Sequence, residues 1–176
     1  MDVKGAYLNG TLRENVYMQQ PEGFEDGTKK VCKLLKTLYG LKQSGREWNK
    51  ELNEKLQKFN YKRLRSDPCA YVRRNGDDLS IITVWVDDLL LFALSDWLMQ
   101  NMKAEIQSEW ATTGMGEPSK IIGIEITQTP TSITISQRQY IESILKREHM
   151  ENANPVGMPM DPNVKLEPNP DHHEGN

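Results

Sequence analysis

Three carboxylates are the first residues in this chain able to do chemistry: Asp2 at its start, and the adjacent pair Asp87 and Asp88. The pair interrupts an apolar, β-branched run, Ile81-Ile82-Thr83-Val84-Trp85-Val86, which resumes as Leu89-Leu90-Leu91-Phe92. Runs of this kind on either side of a break read as two buried strands of a hairpin. A buried ionised carboxylate is costly unless something positive pairs with it. No Lys or Arg lies within nine residues of the pair, so a cation is the expected partner. Carboxylate oxygens suit Mg²⁺ or Mn²⁺, with substrate phosphates completing the shell. Two such ions about 4 Å apart can stabilise both the attacking and the leaving oxygen of a phosphoryl transfer. The simpler alternative is an exposed turn in which Asp87 and Asp88 only accept local backbone hydrogen bonds.

The charge distribution adds a second indication. The 176 residues carry a net charge of −3, but residues 29–74 hold 14 of the 22 Lys and Arg against four acids. The first 28 residues net −3 and residues 75–176 net −10. A basic block ahead of an acidic one fits a protein that grips a polyanion with one part and holds cations with another. A solvated, lysine-rich helix would give the same count. No run approaches the roughly 20 apolar residues of a membrane span, and the N-terminus has no secretory pattern. Cys32 and Cys69 read as reduced residues of an intracellular protein, with a single bridge as the other option.

Several short elements must position these groups. Asp2–Leu8 reads as a strand ending at the turn dipeptide Asn9-Gly10. Short extended pieces follow around Glu14–Met18 and Val31–Leu35. From Gln43 to Phe59, Trp48, Leu52, Leu56 and Phe59 recur at helical spacing with Ser44 as N-cap. Ala70–Arg74 and Leu79–Val86 read as strands joined at Asn75-Gly76. Ser95 or Asp96 caps a helix whose Leu98, Met102, Ile106 and Trp110 form one apolar stripe. Ile121–Thr127 and Ser132–Ile135 form a hairpin, and Ser136 caps a last helix. Prolines at 155, 159, 162, 168 and 170 exclude a packed helix or central strand in the tail; its His172-His173 pair cannot fill a metal shell alone. The class is α+β, a mostly antiparallel sheet backed by the helices near 43–59 and 96–110.

Motifs in order along the chain resemble one family. Asp2-Val3-Lys4-Gly5-Ala6-Tyr7-Leu8-Asn9-Gly10 and Tyr17-Met18-Gln19-Gln20-Pro21-Glu22-Gly23-Phe24 are similar to the opening palm motif of copia-type retrotransposon reverse transcriptases. Leu38-Tyr39-Gly40-Leu41-Lys42-Gln43 with Trp48, Ser66-Asp67-Pro68-Cys69-Ala70-Tyr71 and Val86-Asp87-Asp88 follow in that family's order. Ile122-Gly123-Ile124-Glu125-Ile126, Ser136-Gln137 with Tyr140-Ile141, and Pro155-Val156-Gly157-Met158-Pro159-Met160 extend the likeness almost to the end.

The resemblance implies a polymerase palm over residues 1–150, carrying a C-terminal hairpin and helix, and an extended or disordered Pro-rich tail over 151–176. Asp2, Asp87 and Asp88 would be the catalytic carboxylates and would hold Mg²⁺ or Mn²⁺. Tyr7 would close against the sugar of the incoming nucleotide and disfavour a 2′-hydroxyl by shape; a packed strand residue is the alternative. Gly40, Lys42 and Gln43 would line the nucleotide and template side of the cleft. Ile122, Gly123 and Ile124 would form the hairpin that positions the primer end, or else an ordinary amphipathic hairpin. Partners would be an RNA or DNA template with its primer and deoxynucleoside triphosphates, inside the cell and away from membranes, in an oligomeric state the sequence does not indicate.

The sequence also departs from the family pattern. The family's fingers segment ahead of Asp2 and its later ribonuclease H are missing here. Trp85 stands where Tyr is usual, and Ser44-Gly45 where Ala-Pro is typical. Two functions fit: an RNA-directed DNA polymerase palm, or a catalytically inactive retrotransposon remnant that at most binds nucleic acid through residues 29–74. A degenerate product with no role is a third.

Overall fold

The computed structural model describes residues 1–161 and 163–165. These fall into two compact units, Met1–Pro118 and a second beginning at Ser119.

The first unit is built on a six-stranded sheet in which every neighbouring pair is antiparallel. Its members are β1 (Asp2–Val3), β4 (Lys62–Arg63), β5 (Ala70–Asn75), β6 (Asp78–Trp85), β7 (Asp88–Ala93) and β8 (Thr112–Thr113), in the order β4-β5-β6-β7-β1-β8. A separate two-stranded ribbon pairs β2 (Tyr17–Met18) with β3 (Cys32–Lys33). Helices α2 (Ser44–Lys58) and α3 (Asp96–Glu109) supply the apolar stripes. Alternation along β6 sends Ser80 and Ile82 inward, where Tyr71 and Leu89 join them from the adjacent strands. Leu52, Leu56, Met102, Ile106, Trp48, Trp110 and Val3 complete this core.

The expected strand from Asp2 to Leu8 is a correction. Only Asp2–Val3 is extended; Gly5 takes the left-handed conformation (φ 59°), and Ala6–Asn9 forms one helical turn, α1. The loose alternation of Asp2–Leu8 is overridden because Ala6 is drawn fully into the core and the Leu8 amide bonds back to Gly5 O. Ser44 is likewise not the N-cap. Gln43 takes that position, and the buried Ser44 hydroxyl donates to Leu38 O instead. Ser95 does cap α3, accepting from the Leu98 amide. Strands β4 and β8, two residues each, carried no periodic signal to be read.

The second unit pairs β9 (Lys120–Ile121), β10 (Ile124–Gln128) and β11 (Ile133–Ser136) in the order β11-β10-β9, followed by α4 (Arg138–Arg147). The stretch read as one strand from Ile121 to Thr127 is broken at Ile122-Gly123, both at positive φ, making a second tight turn. Gln137, not Ser136, is the N-cap of α4, although the Ser136 hydroxyl accepts from Arg138 N. None of the described residues of this unit is fully buried. Residues 151–161 and 163–165 form no helix or strand and are exposed; the His172-His173 pair lies outside the described residues. Both cysteines are free thiols. Among the described residues no helix is long and apolar enough to cross a membrane.

Candidate functional site

The six-stranded sheet brings the chain's first carboxylate to the Asp-Asp bend. Asp2 on β1 is the direct register partner of Asp88 on β7. Directly opposed antiparallel residues project on one face with Cβ atoms about 5 Å apart, and like charges in such a pair repel. The pairing is locked from both sides: Val3 N donates to Asp87 O, and Leu89 N to Met1 O, each at 2.8 Å. Thr113 stands opposite Asp2 on the other flank.

Asp87 occupies the bend itself. Trp85 and Asp88 are opposed at the strand ends, so Val86 and Asp87 form a two-residue turn. Val86 has φ 55° whereas Asp87 is not at positive φ, the pattern of a type II′ turn, which normally places Gly first. Asp2 and Asp87 are half-buried and Asp88 is exposed. Among the described residues no three His, Cys, Asp or Glu side chains converge tightly enough to hold a metal ion by themselves. The all-oxygen donor set nonetheless fits a hard divalent cation, since Mg²⁺ is commonly held by one or two carboxylates plus substrate phosphates.

A pair of tyrosines adjoins the bend. The rings of Tyr7 and Tyr39 lie 4.7 Å apart, tilted by 39°, and the Tyr39 hydroxyl approaches Asp87 Oδ2 at 3.5 Å. Partial burial, and then the negative charge of Asp87, raises the Tyr39 phenol above its ordinary value. Tyr7 sits on α1, not on a strand, because Gly5 turns the chain there. The fully buried Thr37 fixes it: the Thr37 hydroxyl donates to Tyr7 O, and Thr37 N donates to Gly10 O at 3.0 Å.

The other residues singled out from the sequence fall in different places. Gly40 has φ 93° and open space where a side chain would stand. Lys42 is exposed and forms no ion pair among the described residues. Gln43 is engaged with Glu14 at 2.9 Å, and Glu14 also takes Arg46 at 2.8 Å. Gly45 lies beneath the Tyr7 hydroxyl, 3.7 Å from where a Cβ would be. Ile122, Gly123 and Ile124 belong to the second unit, at the turn and start of β10. Lys29, Lys30, Lys33, Lys36 and Lys42 of the basic block are exposed, whereas Arg46, Lys50, Lys55 and Arg73 are spent on ion pairs within the unit.

Sequence reasoning missed three contributors. Tyr39 lay inside a recognised motif without a role. Trp48 belongs to an apolar helix stripe and to a family motif, neither of which contains its bond to the bend: its indole donates to Val86 O at 2.6 Å. Thr37 left no signal at all, because its partners are backbone atoms distant in sequence.

A mostly antiparallel α+β unit with opposed acids at a hairpin bend defines a class that can be checked by comparison. Residues 1–162 match the family described as reverse transcriptase (RNA-dependent DNA polymerase). The Retrovirus-related Pol polyprotein from transposon TNT 1-94 of Nicotiana tabacum is 39% identical over 171 residues, 94% of this chain and 13% of that protein. The corresponding polyprotein from transposon RE1 of Arabidopsis thaliana is 38% identical over 168 residues, 94% of this chain and 12% of its own length. A putative transposon Ty5-1 protein of Saccharomyces cerevisiae is 35% identical over 144 residues, 80% of this chain and 47% of that protein. The chain thus spans about an eighth of the plant polyproteins it matches. No solved structure matches it. The chain belongs to the reverse transcriptase (RNA-dependent DNA polymerase) family. Within that family it is of the copia retrotransposon type.

Proposed function

We propose that this chain is the palm of an RNA-directed DNA polymerase, transferring a nucleotidyl group from a deoxynucleoside triphosphate to a primer 3′-hydroxyl. The observation that carries this reading is the register pairing of Asp2 with Asp88 at the Val86-Asp87 bend. Opposed carboxylates cost stability, and a cation between them removes that cost. Asp2, Asp87 and Asp88 would hold two Mg²⁺ or Mn²⁺ ions. When bound, such ions neutralise charge on the phosphates and lower the pKa of the primer hydroxyl. Tyr7, with its ring against Tyr39, would present a flat wall to the sugar and exclude a 2′-hydroxyl by shape. The open space at Gly40 admits a strand closely, and Lys42 offers an unpaired positive charge to a phosphate. Ile122, Gly123 and Ile124 would support the primer end. The exposed lysines between 29 and 42 suit a template backbone, gripped without regard to sequence and weakened by salt. Such a protein works inside the cell.

Primer extension on an RNA template with Mg²⁺ tests this reading. Wild type should extend the primer and Asp87→Asn should not. A folded wild type that extends nothing ends the polymerase reading for this chain. A second reading, a nucleic-acid-binding remnant without catalysis, rests on the exposed lysines between 29 and 42. Retention of nucleic acid that fades with salt, without extension, would select it.

A further inference from the structure

We propose that Trp48 is a positioning residue for the acidic bend: its indole N–H holds the central peptide of the Val86-Asp87 turn in one orientation and so aims Asp87. The inference deepens the polymerase reading and rests on it, because the bend matters only if its carboxylates meet a cation.

The bend is over-determined for a reason. Positive φ is rare for a β-branched residue, and Val86 adopts it at 55°. A two-residue hairpin turn with positive φ at its first position has two forms. In type II′ the second residue has negative φ; in type I′ it has positive φ as well. The two differ by a flip of the peptide between Val86 and Asp87, and Asp tolerates either state. Nothing intrinsic to Val86-Asp87 therefore favours the observed form, since type II′ normally places Gly first.

The choice is made from outside the hairpin. Val86 O, the carbonyl of that central peptide, accepts the Trp48 indole N–H at 2.6 Å. Trp48 is 3% exposed and meets Trp110 edge-on, centroids 5.5 Å apart at 75°. Flipping the peptide would leave a buried indole N–H without a partner, which folded proteins avoid. The flanking bonds, Val3 N to Asp87 O and Leu89 N to Met1 O, hold the strand ends but leave the central peptide free to rotate. Trp48 is the group that stops it, acting on Asp87 through the backbone.

The test is made on the full chain with two changes at position 48. Trp48→Phe removes the donor and some ring. Site-specific replacement of Trp48 by its benzothiophene analogue keeps ring size and removes only the N–H, so it remains informative if Trp48→Phe unfolds. The first readout is the nuclear Overhauser effect between the Val86 and Asp87 amides, weak in type II′ and strong in type I′. The second is the Mn²⁺ dissociation constant by electron paramagnetic resonance, with Asp87→Asn assigning the site. Removing the N–H should strengthen the Overhauser effect and raise the Mn²⁺ dissociation constant about tenfold, the scale of one lost hydrogen bond. An unchanged Overhauser effect in the analogue overturns the proposal, whatever the metal does. If Mn²⁺ binding in wild type is absent or indifferent to Asp87→Asn, the polymerase reading fails instead, while the Overhauser effect still decides whether Trp48 sets the bend.

Discussion

Two of the two-residue hairpin turns, Val86-Asp87 and Ile122-Gly123, share an oddity and resolve it differently. Both place a β-branched residue at positive φ, 55° and 47°. At Ile122 the strain is followed by a glycine at φ 80°, giving the type I′ pattern at the exposed tip of β9 and β10. At Val86 no glycine helps; a buried tryptophan, two strand-end hydrogen bonds and a six-stranded sheet hold the turn. The Ile122-Gly123 turn is set by its own residues and the Val86-Asp87 turn by the core beneath it. Strain that is fixed by surrounding structure is the kind found at working sites.

That contrast can be broken by mutation. Trp48→Ala should cost about 3–5 kcal/mol, the range for emptying an aromatic from a core. A urea titration checks this, and a change below about 1 kcal/mol would mean that the core does not brace the bend. Gly10→Ala comes next. A Cβ at Gly10 would stand 2.7 Å from Thr37 Oγ1 and 3.1 Å from Trp48 N, in the layer that holds both Tyr7 and α2. Overpacking of this kind costs about 1–3 kcal/mol; the same titration should show it, and an unchanged midpoint would argue against the close approach.

Stability should also depend on pH at both extremes. Hydrogen bonds from Lys50 and Arg46 hold the Glu47 carboxyl below its ordinary value, and Lys55 does the same for Glu109. Their contribution is present above the ordinary glutamate value of 4.5 and is lost as pH falls through the lower folded values. Glu47→Gln should flatten that acid limb. Burial pushes the Tyr61 phenol up to about 12 from its ordinary 10. Stability from Tyr61 is therefore intact below pH 10 and lost as pH climbs toward 12. Tyr61→Phe should remove this alkaline loss, read from melting curves across the range.

The smallest effect belongs to the second turn. Ile122→Asn creates Asn-Gly, the preferred type I′ pair, and should stabilise that hairpin by no more than about 1 kcal/mol. Slower amide exchange in β9 and β10 would record it. Faster exchange would show that Ile122 is held by contacts beyond its own turn.

Much of this was legible beforehand where a period was long enough to read. The stripes of α2 and α3 and the β5–β6–β7 meander follow from apolar spacing and turn dipeptides. The Asp2–Leu8 stretch misled because seven loosely alternating residues cannot outweigh a left-handed Gly5 and the burial of Ala6. Ser44 looked like a cap, but its hydroxyl found Leu38 O, a partner no helix pattern contains.

The sequence by itself determined the family, the candidate acids and the hairpin that carries two of them, since these rest on residue identity and local spacing. Only the tertiary structure decided that Asp2 stands opposite Asp88, that Tyr39 reaches Asp87, and that Trp48 grips the bend. Those are hydrogen bonds and strand registers between residues dozens of positions apart, and distance along a chain carries no signal of which groups the closed core will bring together.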